Sequence, residues 1–481
     1  MTEPCDLPAV AARRSIASGG LSPTELLESC IRRIEATNTA VNAVVAIDAG
    51  AARKRAKDIE ASLARGEDAG LLAGLPIGVK DLQATQGLRT TWGSLLFKDT
   101  VPAADESSVA RVRQAGGVIL CKTNTPEFGA GANTTNRVYG PTGNPFDPAK
   151  TCPGSSGGSA VALALGQVPL ATGSDYGGSL RTPASFCGVA GFRTSPGLVP
   201  AVERPAGLSP FGVTGSMGRT IADTHLLLRA QLSVDKRDPF SSDDIKRIPA
   251  ELGALDLGQV RAAISTDLGC APVDRNIAAT FQARVSTFRS AFKEVQERAP
   301  DLSGVHEVFE VLRGVHFVAA HRERLEKSRD LLDRNVVDNT ERGLAYSLGD
   351  VARAQVEQSK LMRRFIAFFN EVDVLICPAA SVSPFPHSQL FVEEINGEKM
   401  PTYMRWLAIT YAPTMALACA AALPCGLDHA GMPFGIQVIG PPGADARVLE
   451  IAHALEQVLA RNKETARPLP PLPVLTGRGP G

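Results

Sequence analysis

No histidine precedes His225 in this 481-residue chain. Whatever chemistry the preceding residues carry must therefore work without an imidazole base or ligand. Charge of one sign is also missing: 50 basic and 50 acidic residues cancel. A neutral chain gives no electrostatic reason to expect nucleic acid or an anionic membrane surface as a partner. No apolar run reaches the roughly 18 residues of a membrane-spanning helix. The start, MTEPCDLPAVAARRS, lacks the apolar segment of an export signal. The nine cysteines are scattered and form no CxxC pair, so neither a zinc site nor any other metal or cofactor is expected. An odd number of cysteines without an export signal points to reduced thiols and to the cytoplasm.

What remains is a chain with 44% hydrophobic residues, ordinary for a globular protein. Its length alone suggests roughly three domains. Ser22-Pro23-Thr24-Glu25 is a capping box with proline at the first helical position, and apolar residues at helical spacing follow it. Further helices are expected over 50–64, 107–115 and 444–461. Short buried strands are expected over 75–80, 118–122, 373–378 and 434–439. Strands alternating with helices predict an α/β fold. Residues 275–370 turn helical and charged and read as an excursion on the core. The tail from Pro468 is rich in proline and glycine and is expected to be loosely held.

Two Gly/Ser clusters stand close together, Gly154-Ser155-Ser156-Gly157-Gly158-Ser159 and Gly177-Gly178-Ser179. A serine after Gly-Gly suits a nucleophile flanked by its own oxyanion donors, because glycine lets backbone N–H groups approach a carbonyl closely; a plain tight turn is the simpler reading. The first cluster is not followed by Gly-Lys-Ser/Thr, so a phosphate loop is excluded. Gly154, Ser156 and Gly158 fit the GxSxG elbow, but that elbow must follow a strand, and Asn144-Pro145-Phe146-Asp147-Pro148 reads as a turn. Lys80 ends an apolar strand. Buried there, it would have a lowered pKa and could act as a base; on the surface it would pair with Asp81.

Taken together, these segments resemble the amidase signature family of serine hydrolases across nearly the whole chain. The marks are Gly78-Val79-Lys80-Asp81, Lys122-Thr123-Asn124 with Pro126-Glu127-Phe128, and Gly154 to Ala160. Gly173 to Arg181, Pro183 to Gly188 and Gly435-Ile436-Gln437 complete them. The resemblance implies one domain over 1–481 with a central mixed sheet covered by helices on both faces. Within it, N-terminal helices occupy about 1–70, the catalytic core 71–230, a pocket-covering helical excursion 275–370, a return to the core 371–465, and a flexible tail 466–481. It implies a Ser–cis-Ser–Lys triad, with Ser179 as nucleophile, Ser155 as the bridging serine after a cis peptide bond, and Lys80 as base. The family's spacing selects Ser155 over Ser156. The backbone N–H groups of Tyr176, Gly177, Gly178 and Ser179 would hold the oxyanion. Gly129-Ala130-Gly131, with Ser155, would border the substrate, and Asp175 and Arg181 would shape the turn. The chain departs from the family at Tyr176, where threonine is common.

The activity so implied is hydrolysis of a linear amide, with carbamates or esters as related substrates. The alternative is the amidase subunit of a glutamine-dependent tRNA amidotransferase. No nucleic acid or membrane partner is expected, and the chain would act as a monomer or homodimer. Overall neutrality and apolar residues outside the motifs (Phe309, Phe317, Phe385, Phe391, Tyr403, Trp406) favour an uncharged or aryl-bearing substrate. The seven histidines receive no role.

Overall fold

The structure, a computed structural model, is described for residues 3–472. Most of the tail expected to be loose, residues 473–481, lies outside the described residues. The strands are β1 (Val44–Ile47), β2 (Pro76–Lys80), β3 (Val118–Thr123), β4 (Leu170–Asp175), β5 (Ala190–Arg193), β6 (Val213–Gly218), β7 (Arg261–Ile264), β8 (Glu294–Glu297), β9 (Val374–Pro378), β10 (Glu394–Ile395), β11 (Glu398–Lys399), β12 (Cys419–Leu427) and β13 (Pro433–Gly440). Eleven of them form one sheet in the order β1-β3-β2-β4-β6-β5-β12-β13-β9-β7-β8. β10 and β11 make a separate ribbon. The sheet is mixed: β2 runs parallel to β3 and β4, β7 parallel to β8 and β9, and the middle of the sheet is antiparallel. Every residue of β2, β3, β9 and β13 is buried. Alternate side chains of a strand point to opposite faces, so helices must cover both.

The Ser22 capping box forms as expected, with Glu25 N–H to Ser22 Oγ at 3.0 Å and Ser22 N–H to Glu25 Oε2 at 2.8 Å. The helix it opens is Pro23–Val41. The first 70 residues are not all helix, since β1 joins the sheet edge antiparallel to β3. The stretch 275–370 is not all helix either. Helix Arg275–Phe288 is the crossover of a parallel pair, β7 and β8. β8 reads Glu-Val-Gln-Glu and is only partly covered at the sheet edge, which leaves little apolar pattern to find. The continuous helical stretch runs from Val305, with helices Val305–Ser328, Arg334–Ala345 and Leu348–Phe368. All nine cysteines are unpaired, and no helix among the described residues is long and apolar enough to cross a membrane.

Candidate active site

β2 and β4 run parallel and adjacent, so their C-terminal ends open on the same edge of the sheet. This is where open α/β sheets hold their ligands. β2 delivers Lys80; β4 delivers Ser174 and Asp175 and runs into Tyr176-Gly177-Gly178-Ser179. Lys80 is fully buried. Its Nζ lies 2.7 Å from Ser155 Oγ, 2.9 Å from Ser156 Oγ and 3.0 Å from Ser174 Oγ. No pairing with Asp81 forms. That carboxylate accepts from the Thr91 hydroxyl at 2.5 Å and the Thr91 N–H at 3.2 Å. Burial lowers the Lys80 pKa to about 7, against an upward pull from Asp175. A second buried lysine, Lys122, is held elsewhere, donating to the Gln83 carbonyl and to Thr85 Oγ1.

Ser155 follows a cis peptide bond from Gly154. With Ser156 it sits where the loop turns into the buried helix Gly157–Ala164. A Cβ at Gly158 would lie 2.3 Å from the Asn124 N–H nitrogen. The first Gly/Ser cluster is therefore glycine-rich because a helix packs directly against the end of β3. Only isolated bridges at Lys150 and Thr151 lie just before Ser156, so no strand leads into the GxSxG pattern. The Ser156 N–H donates to the Ser179 carbonyl at 3.1 Å and ties the two serine loops together.

The second cluster is shaped by Asp175. Arg181 grips its carboxylate with Nη2 at 3.0 Å and Nε at 3.1 Å, and Arg193 Nη1 lies 3.4 Å from Oδ1. All three side chains are fully buried. Burial alone would raise the Asp175 pKa, but the two guanidiniums outweigh it and hold the carboxyl well below the usual range. Asp175 also accepts the N–H of Gly178 at 2.9 Å and of Leu180 at 3.1 Å. Gly178 has φ +116°, and a Cβ there would lie 2.2 Å from Thr410 Oγ1, so only glycine fits this bend. This geometry corrects one expectation. The Gly178 N–H faces the Asp175 carboxylate and is not free for an oxyanion. Among the described residues, the N–H groups of Tyr176, Gly177 and Ser179 meet no protein acceptor.

Replacing Asp175 by alanine leaves two buried guanidiniums without their carboxylate. The expected cost is about 3–5 kcal/mol of stability, read as a lowered midpoint in urea unfolding. Because the folded pKa is depressed, this contribution is present above the unfolded value of about 4 and lost as pH falls through the folded one. The variant should lose that acid-side slope.

Ser155, Ser174, Ser179, Gly129 and Gly131 line one cavity of about 610 Å³. A Cβ at Gly129 would lie 3.3 Å from Ser155 Oγ, which sets this loop against the bridging serine. Ala130 does not border the cavity; it packs with Phe317, Leu332 and Val336. Glu127 pins the loop, accepting from Ser94 Oγ and from the Asp333 N–H, both at 2.5 Å. Of the aromatic residues expected to face substrate, only Phe317 lines the cavity. Phe309, Tyr403 and Trp406 are core, and Phe385 and Phe391 pack against it. Trp92, Phe97 and Phe128 supply the aromatic wall instead. One face of helix Val305–Ser328 also lines the cavity, through Arg313, His316, Phe317, Ala320, His321 and Arg324. The spacing of three and four residues puts them in one stripe. Burial lowers the pKa of His316 to about 4 and of His321 to about 3, so two histidines given no role stand neutral in the cavity wall. Ser174 was legible in principle: Thr172 and Ser174 alternate on the strand beside Lys80, and Thr172 Oγ1 accepts the Lys80 N–H at 3.1 Å.

A lysine lowered toward neutrality by burial, three hydroxyls around it and free backbone N–H groups at a Gly-Gly-Ser turn form an acyl-transfer constellation. The chain is similar over most of its length to several known proteins. Acylamidase of Rhodococcus erythropolis is 32% identical over 454 residues, spanning 94% of this chain and 95% of its own. A glutamyl-tRNA(Gln) amidotransferase subunit from Anaeromyxobacter dehalogenans is 31% identical over 506 residues, spanning 98% and 99%. A crystal structure of a bacterial aryl acylamidase of the amidase signature family matches with a TM-score of 0.86 at 26% identity, covering 94% of this chain and 96% of that one. The Amidase family model matches residues 25–449. With lysine, serines and Gly-Gly turn all inside that match, the chain belongs to the amidase signature family, enzymes that hydrolyse carbon–nitrogen bonds of amides.

Proposed function

We propose that this enzyme hydrolyses a small aryl-bearing amide through an acyl-enzyme on Ser179. The observation that carries the reading is the Lys80–Ser155 contact at 2.7 Å with Ser155 and Ser179 both lining one cavity. Neutral Lys80 takes the proton of Ser155, which takes that of Ser179 as its Oγ attacks the carbonyl carbon. The oxyanion meets the N–H groups of Tyr176, Gly177 and Ser179. The proton returns through the relay to the leaving nitrogen as the C–N bond breaks. Water then adds to the acyl carbon, passes a proton to the relay, and the carboxylic acid leaves as Ser179 is reprotonated. A carbamate or ester carbonyl would meet the same donors, which makes such side activity expected.

The aryl preference is supported by the wall of Trp92, Phe97, Phe128 and Phe317 and by the aryl acylamidase among the similar structures. A panel of anilides, aryl carbamates and aliphatic amides tests it. The anilides should show the highest kcat/KM, and aliphatic amides turned over faster than every aryl compound would overturn it. The second reading, the glutaminase component of a tRNA amidotransferase, is favoured by the 31% identity to the Anaeromyxobacter protein across 98% of the chain. Anilide hydrolysis by the chain alone supports the first reading. Ammonia release from glutamine only, and only with a partner protein added, supports the second.

A further inference from the structure

The stripe of helix Val305–Ser328 that lines the cavity carries a guanidinium without a counter-ion. Arg313 is only 6% exposed. Its Nε donates to Asn339 Oδ1 at 2.9 Å and its Nη2 to Tyr403 OH at 3.0 Å, both neutral groups. Among the described residues no carboxylate lies within ion-pair distance of it. The other arginines of this wall differ. Arg204 pairs with Asp238 at 3.1 Å, and Arg324 is partly exposed. The carboxylates that line the cavity are engaged as well. Asp175 is neutralised by Arg181 and Arg193. Glu106 accepts from Gln83 and Ser108, and Glu203 accepts from the Ser107 N–H.

Aromatic faces compensate part of the charge. The Arg313 guanidinium lies 4.6 Å from the Phe317 ring centre, 5.7 Å from that of Tyr176 and 5.8 Å from that of Phe309. Such contacts stabilise a cation less than a carboxylate does. Two more polar atoms at this corner are buried without a protein partner, the Tyr176 hydroxyl and His316 Nδ1. The two rings are 5.2 Å apart. Tyr176 also directly precedes the Gly-Gly-Ser turn. The unneutralised charge therefore stands over the ring of the residue that leads into the turn, in the same cavity that Ser179 lines.

We propose that Arg313 binds a carboxylate on the substrate, so that the amides cleaved here carry an acidic group near the scissile bond. This rests on the reading that places the reacting carbonyl at Ser179. It departs from the uncharged substrate suggested by overall composition, because the charge of a chain says little about the charge of one corner of its pocket. A guanidinium meets a carboxylate through paired N–H donors, and a carboxamide of the same shape offers one acceptor oxygen and no charge.

The test compares four compounds with the wild-type enzyme: glutaric acid mono-4-nitroanilide and its primary carboxamide, and 4-acetamidobenzoate and its carboxamide. At least one carboxylate should exceed its neutral counterpart in kcat/KM by about 10- to 100-fold. R313Q should remove that ratio, while R313K, which keeps a cation, should retain part of it. Calorimetric binding of the same four compounds to the S179A enzyme gives a readout that needs no turnover, and the same order of affinities is expected. Equal or better kcat/KM and binding for both neutral compounds would overturn the proposal, as would a carboxylate preference that survives in R313Q. Turnover by S179A alongside a carboxylate preference would instead overturn the Ser179 reading and leave the anion site standing.

Discussion

Ser179→Ala should abolish turnover, lowering kcat/KM by about four to six orders of magnitude. The residue ends a turn whose shape is over-determined. Asp175 holds the Gly178 and Leu180 N–H groups, Arg181 and Arg193 hold Asp175, and Thr410 Oγ1 holds the Gly177 carbonyl at 2.8 Å. Removing one hydroxyl from such a frame leaves the fold in place, so unfolding curves of the variant should match the wild type while activity vanishes. The competing nucleophile is Ser156, which lies, as Ser155 does, within hydrogen-bond distance of Lys80. It is fully buried, whereas Ser179 lines the cavity. A fluorophosphonate should therefore label Ser179. An adduct mapped to Ser156, with Ser179→Ala still labelled, would overturn the assignment. Ser155→Ala should be severe and Ser156→Ala milder, because only the former breaks the path between lysine and nucleophile.

The parts of this site that could be read in the chain are those where local sequence and function coincide. Lys80 at the end of an apolar strand, the Gly-Gly-Ser turn and the Ser155 loop all announce themselves by residue type and spacing. The strands expected over 118–122, 373–378 and 434–439 appear as β3, β9 and β13 because they are buried on both faces and read as continuous apolar runs. What escaped depends on side-chain direction across long sequence separations. Periodicity marks Val305–Ser328 as a helix but does not say that its Arg313–His316–Phe317 face meets a cavity built by residues more than a hundred positions earlier. Phe309, one turn before Arg313, packs into the core instead. β1 and β8 escaped because short, half-covered edge strands carry weak alternation. The Gly178 N–H could not be assigned from sequence, since whether it faces a substrate or Asp175 depends on a side-chain rotamer three residues away.

Lys80→Ala should be nearly as damaging as Ser179→Ala, and the double variant little worse than either, because members of a proton relay act as a unit. The pH profile separates this from a merely structural role. With its pKa lowered to about 7 by burial, Lys80 is neutral above that value and protonated below it. The free enzyme should therefore lose kcat/KM about tenfold per pH unit below pH 7. Residual activity in Lys80→Ala should lack that limb. The same shift carries a stability signature of definite sign. The folded pKa lies below the roughly 10.4 of an unfolded lysine, so the unfolded chain binds the extra proton between about pH 7 and 10, and unfolding free energy should rise with pH through that window. Lys80→Met, which keeps the bulk and removes the charge, should flatten this slope while abolishing activity. An acidic limb near pH 7 that persists in Lys80→Ala, or a slope unchanged in Lys80→Met, would mean that another group titrates. The neutral His316 and His321 of the cavity wall, with pKa values lowered to about 4 and 3, lie too far down to supply it.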